Sequence, residues 1–169
     1  MPRIIRALLP SLIFLLTFGT VLTGCAGLAA DQPPACVSVA APPSVSDRAA
    51  VRIELVEGDR VASAVLDDSA PARELLGLLP LRVELRDSFG LAMVASIPAA
   101  LDTGGAPVSC DFVVGEIGYS PADGGIAIFH SVEAAQLQTP AAVRLGRVTS
   151  GLTAITDHGS VRVTIRRAG

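Results

Sequence analysis

The side chains able to do chemistry are few, and their spacing suits little of it. Two histidines occur, His130 and His158, and neither has a Cys or carboxylate at the spacing of a strong metal site. His130 with Glu133 reads as a solvated pair entering a polar loop, and Asp157-His158-Gly159 has the composition of a tight turn. Ser109-Cys110-Asp111 lacks the flanking glycine of a nucleophile elbow, and no basic residue lies near Cys110 to make its thiol reactive. Gly104-Gly105 and Gly124-Gly125 are turn glycines outside any phosphate-binding G-x-G-x-x-G. The expectation is a chain without a catalytic constellation, a metal or a cofactor.

The other two cysteines are Cys25 and Cys36. Arg3 and Arg6 precede an apolar run over 7–22, broken only by Ser11, Thr17 and Thr20, the pattern of a secretory signal. A membrane-spanning helix wants about 20 strongly apolar residues, and here Pro10, Gly19 and Gly24 interrupt the stretch. Leu22-Thr23-Gly24-Cys25 resembles the lipobox of bacterial lipoproteins, in which the Cys thiol is acylated and the leader cut just before it. That resemblance implies a signal peptide over 1–24 and a lipid on Cys25. It also implies anchoring to the cell membrane on its periplasmic or extracellular face. One acyl chain binds a membrane only marginally, whereas two or three hold firmly. Residues 25–49 then form a Pro/Ala-rich tether, with Pro pairs at 33–34 and 42–43 that stiffen it. Export permits a disulfide between Cys36 and Cys110, and two free thiols are the alternative.

Beyond the tether, residues 50–169 have room for one domain. Aromatic residues make up 4% of the chain and Trp is absent, so the core must be built from Val, Leu, Ile and Ala. All 13 basic residues are Arg, and removal of 1–24 leaves 11 of them against 16 Asp plus Glu, a formal charge of −5. Outside Arg166-Arg167 no basic run survives, which excludes a phosphate-backbone partner such as nucleic acid.

Residues 51–56 alternate as VRIELV and 60–66 follow after Glu57-Gly58-Asp59, which predicts a hairpin. Asp67-Asp68-Ser69 offers N-caps for a short helix over 70–79, with Pro71 in its first turn and Pro80 as its stop. Strands are expected over 81–86, 143–148 and 160–166, an irregular one over 89–97, and a second hairpin over 115–119 and 125–130. A short helix or turn is expected over 150–155. Seven or eight short strands with two short helices make a mainly β barrel or sandwich.

Three segments resemble a bacterial cyclophilin-like domain family in order and spacing. They are the run from Ala72-Arg73-Glu74-Leu75-Leu76 to Leu78-Leu79-Pro80-Leu81, the pair Gly115-Glu116-Ile117-Gly118-Tyr119 and Gly125-Ile126-Ala127-Ile128-Phe129, and Val143-Arg144-Leu145-Gly146-Arg147-Val148 with Ser150-Gly151-Leu152. The resemblance covers about 52–165 and implies a closed β-barrel of about eight strands with helices at its ends. It departs at Tyr119-Ser120-Pro121-Ala122-Asp123-Gly124, where family members often carry a Trp.

True cyclophilins are peptidyl-prolyl isomerases that aim an Arg donor at the prolyl amide from an apolar groove. No Arg or Lys lies between Arg86 and Arg144, where the resemblance places that donor. Isomerisation is therefore the alternative, and a lipid-tethered module binding a small molecule or peptide is the main expectation. Its groove is sought at Phe89, Met93, Phe112, Tyr119, Phe129 and His130, although Met93 and Phe129 read as core as readily. A lipoprotein docking on another envelope protein through a sheet edge or apolar patch is a further possibility.

Overall fold

A computed structural model describes residues 50–135 and 142–169. The leader, Cys25, the tether and Cys36 lie outside the described residues. The described residues form β1 (Val51–Glu57), β2 (Arg60–Leu66), α1 (Ala70–Gly77), β3 (Leu81–Ser88), β4 (Ala92–Ser96), β5 (Val108–Ser109), β6 (Glu116–Ser120), β7 (Gly125–Phe129), β8 (Ala142–Ser150), α2 (Thr153–Thr156) and β9 (Ser160–Arg167). One turn of 3₁₀ helix, Val132–Ala135, follows β7.

Every pairing is antiparallel, in the order β2-β1-β9-β3-β4-β7-β6-β8, with β5 added beside β8. The last strand of that order returns to the first: Ser63–Leu66 of β2 pairs with residues of β8 from Ser150 back to Gly146. Eight strands therefore close into a barrel, and β5 is the extra one. Among the described residues there are two short α-helices.

Period-2 alternation sets which face each strand buries. Ile53 and Leu55 of β1, Leu81, Val83 and Leu85 of β3, and Val161, Val163 and Ile165 of β9 all point inward with the arginines and glutamates between them outside. Met93, Ile117, Tyr119, Ile126, Ile128 and Leu145 complete the interior. Tyr119 keeps its hydroxyl satisfied there by accepting from the Leu101 backbone N–H at 3.1 Å, as a buried phenol requires.

Helix α1 begins where expected, with Ser69 as N-cap and Pro71 in the first turn, and lays Ala72, Leu75 and Leu76 on the barrel interior. It ends at Gly77, two residues short of the expected end. The strand expected over 89–97 is regular and shorter, Ala92–Ser96, because residues 89–91 are spent on a turn. In that turn Phe89 and Gly90 have φ of 56° and 71°, and the Leu91 N–H donates to the Ser88 carbonyl at 3.0 Å. Two left-handed central residues match the twist of a tight hairpin, but a bulky side chain at positive φ costs about 1 kcal/mol or more. Asp87 offsets part of this by accepting the Gly90 N–H at 2.8 Å.

Candidate functional site

The outer face of β4, β7 and β6 departs from the charged pattern of β1, β3 and β9. Across the strands, Ser88, Ala92 and Phe129 form one row, Arg86, Val94, Ala127 and Gly118 the next, and Ser96, Gly125 and Ser120 a third. From β4 to β6 no outward residue in the last two rows is larger than valine. A barrel exterior is convex, so small residues on three adjacent strands leave a trench where larger ones would fill the surface.

The strand pairing deepens that trench. β3 and β4 pair only over Arg86–Ser88 and Ala92–Val94, while β3 continues down to Leu81 against β9 alone. The two strands part below Arg86, and a groove of about 730 Å³ opens there, a size that holds a small molecule or a short peptide.

Its three sides differ in chemistry. Phe89, Leu91 and Phe129 make an apolar end, with the Phe89 side chain standing 94% exposed at the rim. Ser96, Ser120 and Asp123 make a polar end, where the Ser120 hydroxyl donates to Asp123 at 2.7 Å. Glu84 and Arg86 supply the charged β3 flank. Arg86 Nε donates to Glu84 Oε1 at 3.2 Å, and the guanidinium is 70% exposed beside the groove.

The acidity of Glu84 is clearly moved. The Ser160 hydroxyl, which donates to it at 3.0 Å, and then the nearby Arg86 and Arg162 hold its carboxyl below the usual carboxylate range. A folded pKa below the unfolded one means that ionised Glu84 favours the folded state at neutral pH. That contribution fades as pH falls through the usual carboxylate range and is gone below the folded value. Glu84→Gln is therefore expected to shallow the acid limb of a stability-against-pH curve measured by thermal melting. A limb of unchanged slope would refute the assignment.

Beside the trench, Phe112 seals the outer surface over Gly118. A β-carbon at Gly118 would meet Phe112 Cε1 at 3.2 Å. The Phe112 ring stacks on Phe129 with centroids 4.2 Å apart and planes 13° from parallel. Arg144 lies over the Phe112 ring at 5.0 Å, a cation–π contact. Its guanidinium also donates to Glu116, to the Asp111 carbonyl and to the Ser109 hydroxyl at 3.2 Å. Arg144 is thus committed to holding β5, β6 and the Phe112 loop together.

The structure separates the six expected groove residues. Phe89 and Phe129 line the groove and Phe112 backs it, whereas Met93 and Tyr119 point into the barrel core. His130 sits beyond the apolar end, its Nε2 2.8 Å from Asp87 Oδ1. The expected His130–Glu133 pair is thereby corrected: strand pairing brings Asp87 to the histidine from 43 residues away. No arginine comes from the stretch between Arg86 and Arg144, and Arg86 itself, on the β3–β4 hairpin, lies on the groove flank. Cys110 is disulfide-bonded. Its expected partner Cys36 lies outside the described residues. Among those residues no group of three or more His, Cys, Asp or Glu is placed to hold a metal, and no helix is long and apolar enough to cross a membrane.

A family model described as the cyclophilin-like family matches residues 55–166. Among solved structures, the solution structure of the hypothetical protein AF2241 from Archaeoglobus fulgidus is similar. Its TM-score is 0.54 and its identity 12%, with 70% of this chain and 95% of that chain covered. At that identity the likeness concerns fold alone. No curated protein matches.

Proposed function

Because the chain belongs to the cyclophilin-like family, we propose that its barrel is a binding module, exported and lipid-anchored through Cys25, that takes a small molecule or peptide in the groove between β3 and β4. One observation carries the binding role. An outer sheet face that would ordinarily be covered by polar side chains is instead floored by Ala92, Val94 and Ala127 and rimmed by an exposed Phe89. Apolar concavities with a few convergent polar groups are where proteins bind ligands. The apolar end suits a hydrophobic side chain, and Arg86 offers a donor to a carbonyl or carboxylate next to it. Export and anchoring rest on the leader and the Leu22-Thr23-Gly24-Cys25 motif.

A thermal-shift screen of metabolites and Pro-containing peptides tests the groove, since a ligand of the native state raises stability by mass action. Val94→Arg is the accompanying variant. Val94 is surface-accessible, so the substitution should change stability by less than about 0.5 kcal/mol while filling the trench. Any shift seen with the parent is expected to vanish, and a shift that survives would place the ligand elsewhere. Mass spectrometry of the membrane fraction tests the anchor, which is expected as a mature N-terminus at Cys25 carrying fatty acids. An intact leader would remove it.

A second reading, prolyl isomerisation, is favoured by the position of Arg86 on the groove flank. A protease-coupled assay on a Pro peptide separates the two. A rate above background that is lost in Arg86→Ala supports isomerisation, and no rate leaves binding alone.

A further inference from the structure

Below Arg86, where β3 and β4 part, β3 is an unpaired sheet edge. The Asp87 N–H donates to the Gly159 carbonyl at 2.8 Å, and the register of β3 with β9 runs without a shift from there to Leu81. Hydrogen-bonding groups alternate sides along an antiparallel strand. Asp87, Leu85, Val83 and Leu81 therefore bond to β9, and Arg86, Glu84 and Arg82 turn their N–H and C=O toward β4. Of these three only Arg86 is paired there, with Val94. Two residues on, the same register would set Ser96 opposite Glu84. Both strands reach that far, yet the ladder has stopped, and Glu84 and Ser96 line the groove instead.

We propose, on the reading of the groove as a binding site, that its ligand is an extended peptide of a partner protein. The peptide pairs as an added strand with Glu84 and Arg82 and carries an acidic side chain opposite Arg82.

Backbone geometry selects the ligand class. A free strand edge repeats its N–H and C=O pairs every two residues, about 6.8 Å apart, a pattern that another extended backbone matches and a compact metabolite does not. Main-chain bonds of this kind give affinity, and side-chain positions give specificity. Lying antiparallel to β3, as β4 and β9 do, a peptide exchanges two hydrogen bonds with Glu84 and two with Arg82. N-terminal to the residue opposite Glu84 it meets Arg86, whose edge groups already belong to Val94. There the peptide has to rise from the sheet plane onto the outer face, where the trench floored by Val94 and Ala127 receives it. Phe89 and Phe129 lie further along the same course.

Charge selects the side chain. Arg82, Glu84 and Arg86 point outward from β3, and Arg162 points outward beside them from β9. Three guanidiniums thus surround one carboxylate. Glu84 is already engaged, accepting from Ser160 and Arg86 with Arg162 at 3.6 Å. Arg82 is exposed and has no ion pair among the described residues. Opposite charges directly across a strand pair attract and like charges repel. An Asp or Glu therefore fits opposite Arg82, and a neutral residue opposite Glu84. The peptide residue between them points inward beside Val83 and has to be small, because that interior is packed.

The test uses the full chain and a bead library of capped hexapeptides randomised at every position. In the free protein, amide exchange should be fast at Arg82 and Glu84 and slow at Val83 and Leu85. A selected peptide should slow the first two by at least about tenfold. Selected sequences should carry Asp or Glu two residues after a neutral one, and Arg82→Glu should turn that preference to Arg or Lys. Glu84→Pro deletes one edge N–H and leaves every bond to β9, as proline on a free edge does. It should bind the selected peptides at least about tenfold more weakly than Glu84→Ala does. N-methylation of the peptide residue opposite Glu84 removes a bond from the ligand side, which covers a Glu84→Pro chain that folds poorly, and should also cost about tenfold. Slow exchange at Glu84 in the free chain, a library without binders, or an acidic preference that Arg82→Glu does not move overturns the proposal. Binders indifferent to both Glu84→Pro and N-methylation do the same. If a ligand from the thermal-shift screen then still binds in a Val94-dependent way, strand pairing falls and the groove reading stands. If every binder ignores Val94→Arg as well, both fall.

Discussion

Gly146→Ala is expected to cost about 3 kcal/mol or more, the range of severe backbone conflicts. Gly146 pairs with Leu66 of β2 on one side and Ile117 of β6 on the other, so its backbone is held from both. A β-carbon there would fall inside contact distance of the Val65 carbonyl oxygen and 2.8 Å from Leu66 Cα. Both obstacles are main chain in a paired strand, and neither can swing aside as a side-chain end would. Relief requires β8 to move away from β2, across the seam that closes the barrel. For a domain of this size the loss corresponds to a fall in melting temperature of about 10 °C or more. Gly77→Ala is the matched control. Nothing lies within 4 Å of its added β-carbon, and alanine in the last turn of α1 should be neutral or stabilise by up to about 1 kcal/mol. Equal melting temperatures for the two variants would mean that the seam yields more easily than the register implies.

Phe112→Ala should cost about 3–4 kcal/mol in a denaturant titration, the usual loss for a fully buried ring that leaves a cavity. Phe112 has no exposed surface, and three structures depend on it: the face of Phe129, the cover over Gly118 and the ring beneath Arg144. Only the first two border the groove. Phe112→Leu keeps most of the volume and the Gly118 cover but loses the stacked plane, and should cost about 1.5 kcal/mol. The pair therefore separates cavity from stacking. A loss below 1 kcal/mol for alanine would show that Arg144 and its partners hold this loop without the ring. Ligand affinity should fall in the alanine variant as Phe129 loses its support, even at temperatures where the barrel is intact.

The barrel was legible wherever one face of a strand carries charge. VRIELV in β1, LRVELR in β3 and VRVTI in β9 alternate because their outer faces meet water, and their bounds came within two residues. β4 was harder to read because it borders both the core and the groove. Ala92, Met93, Val94 and Ala95 are apolar on both faces, one toward the core and one toward the trench, so the period-2 signal vanishes at the groove. Arg86 and Asp87 were invisible as site residues for a different reason. Their partners Val94 and His130 come from register across strands, and a single sequence does not state register. Length gave away the short helix, since Pro80 had to end it, but nothing in residues 89–91 announced a left-handed phenylalanine.

The pairing of β1 with β9 joins Glu54 to Arg166, 112 residues apart, and the two side chains meet at 2.8 Å. The first strand to leave the ribosome therefore waits for the last before it has both neighbours. Contacts of such sequence separation slow folding, because loop-closure entropy is lost before any contact compensates for it. A barrel with this topology cannot close until its last strand, Ser160–Arg167, has been made.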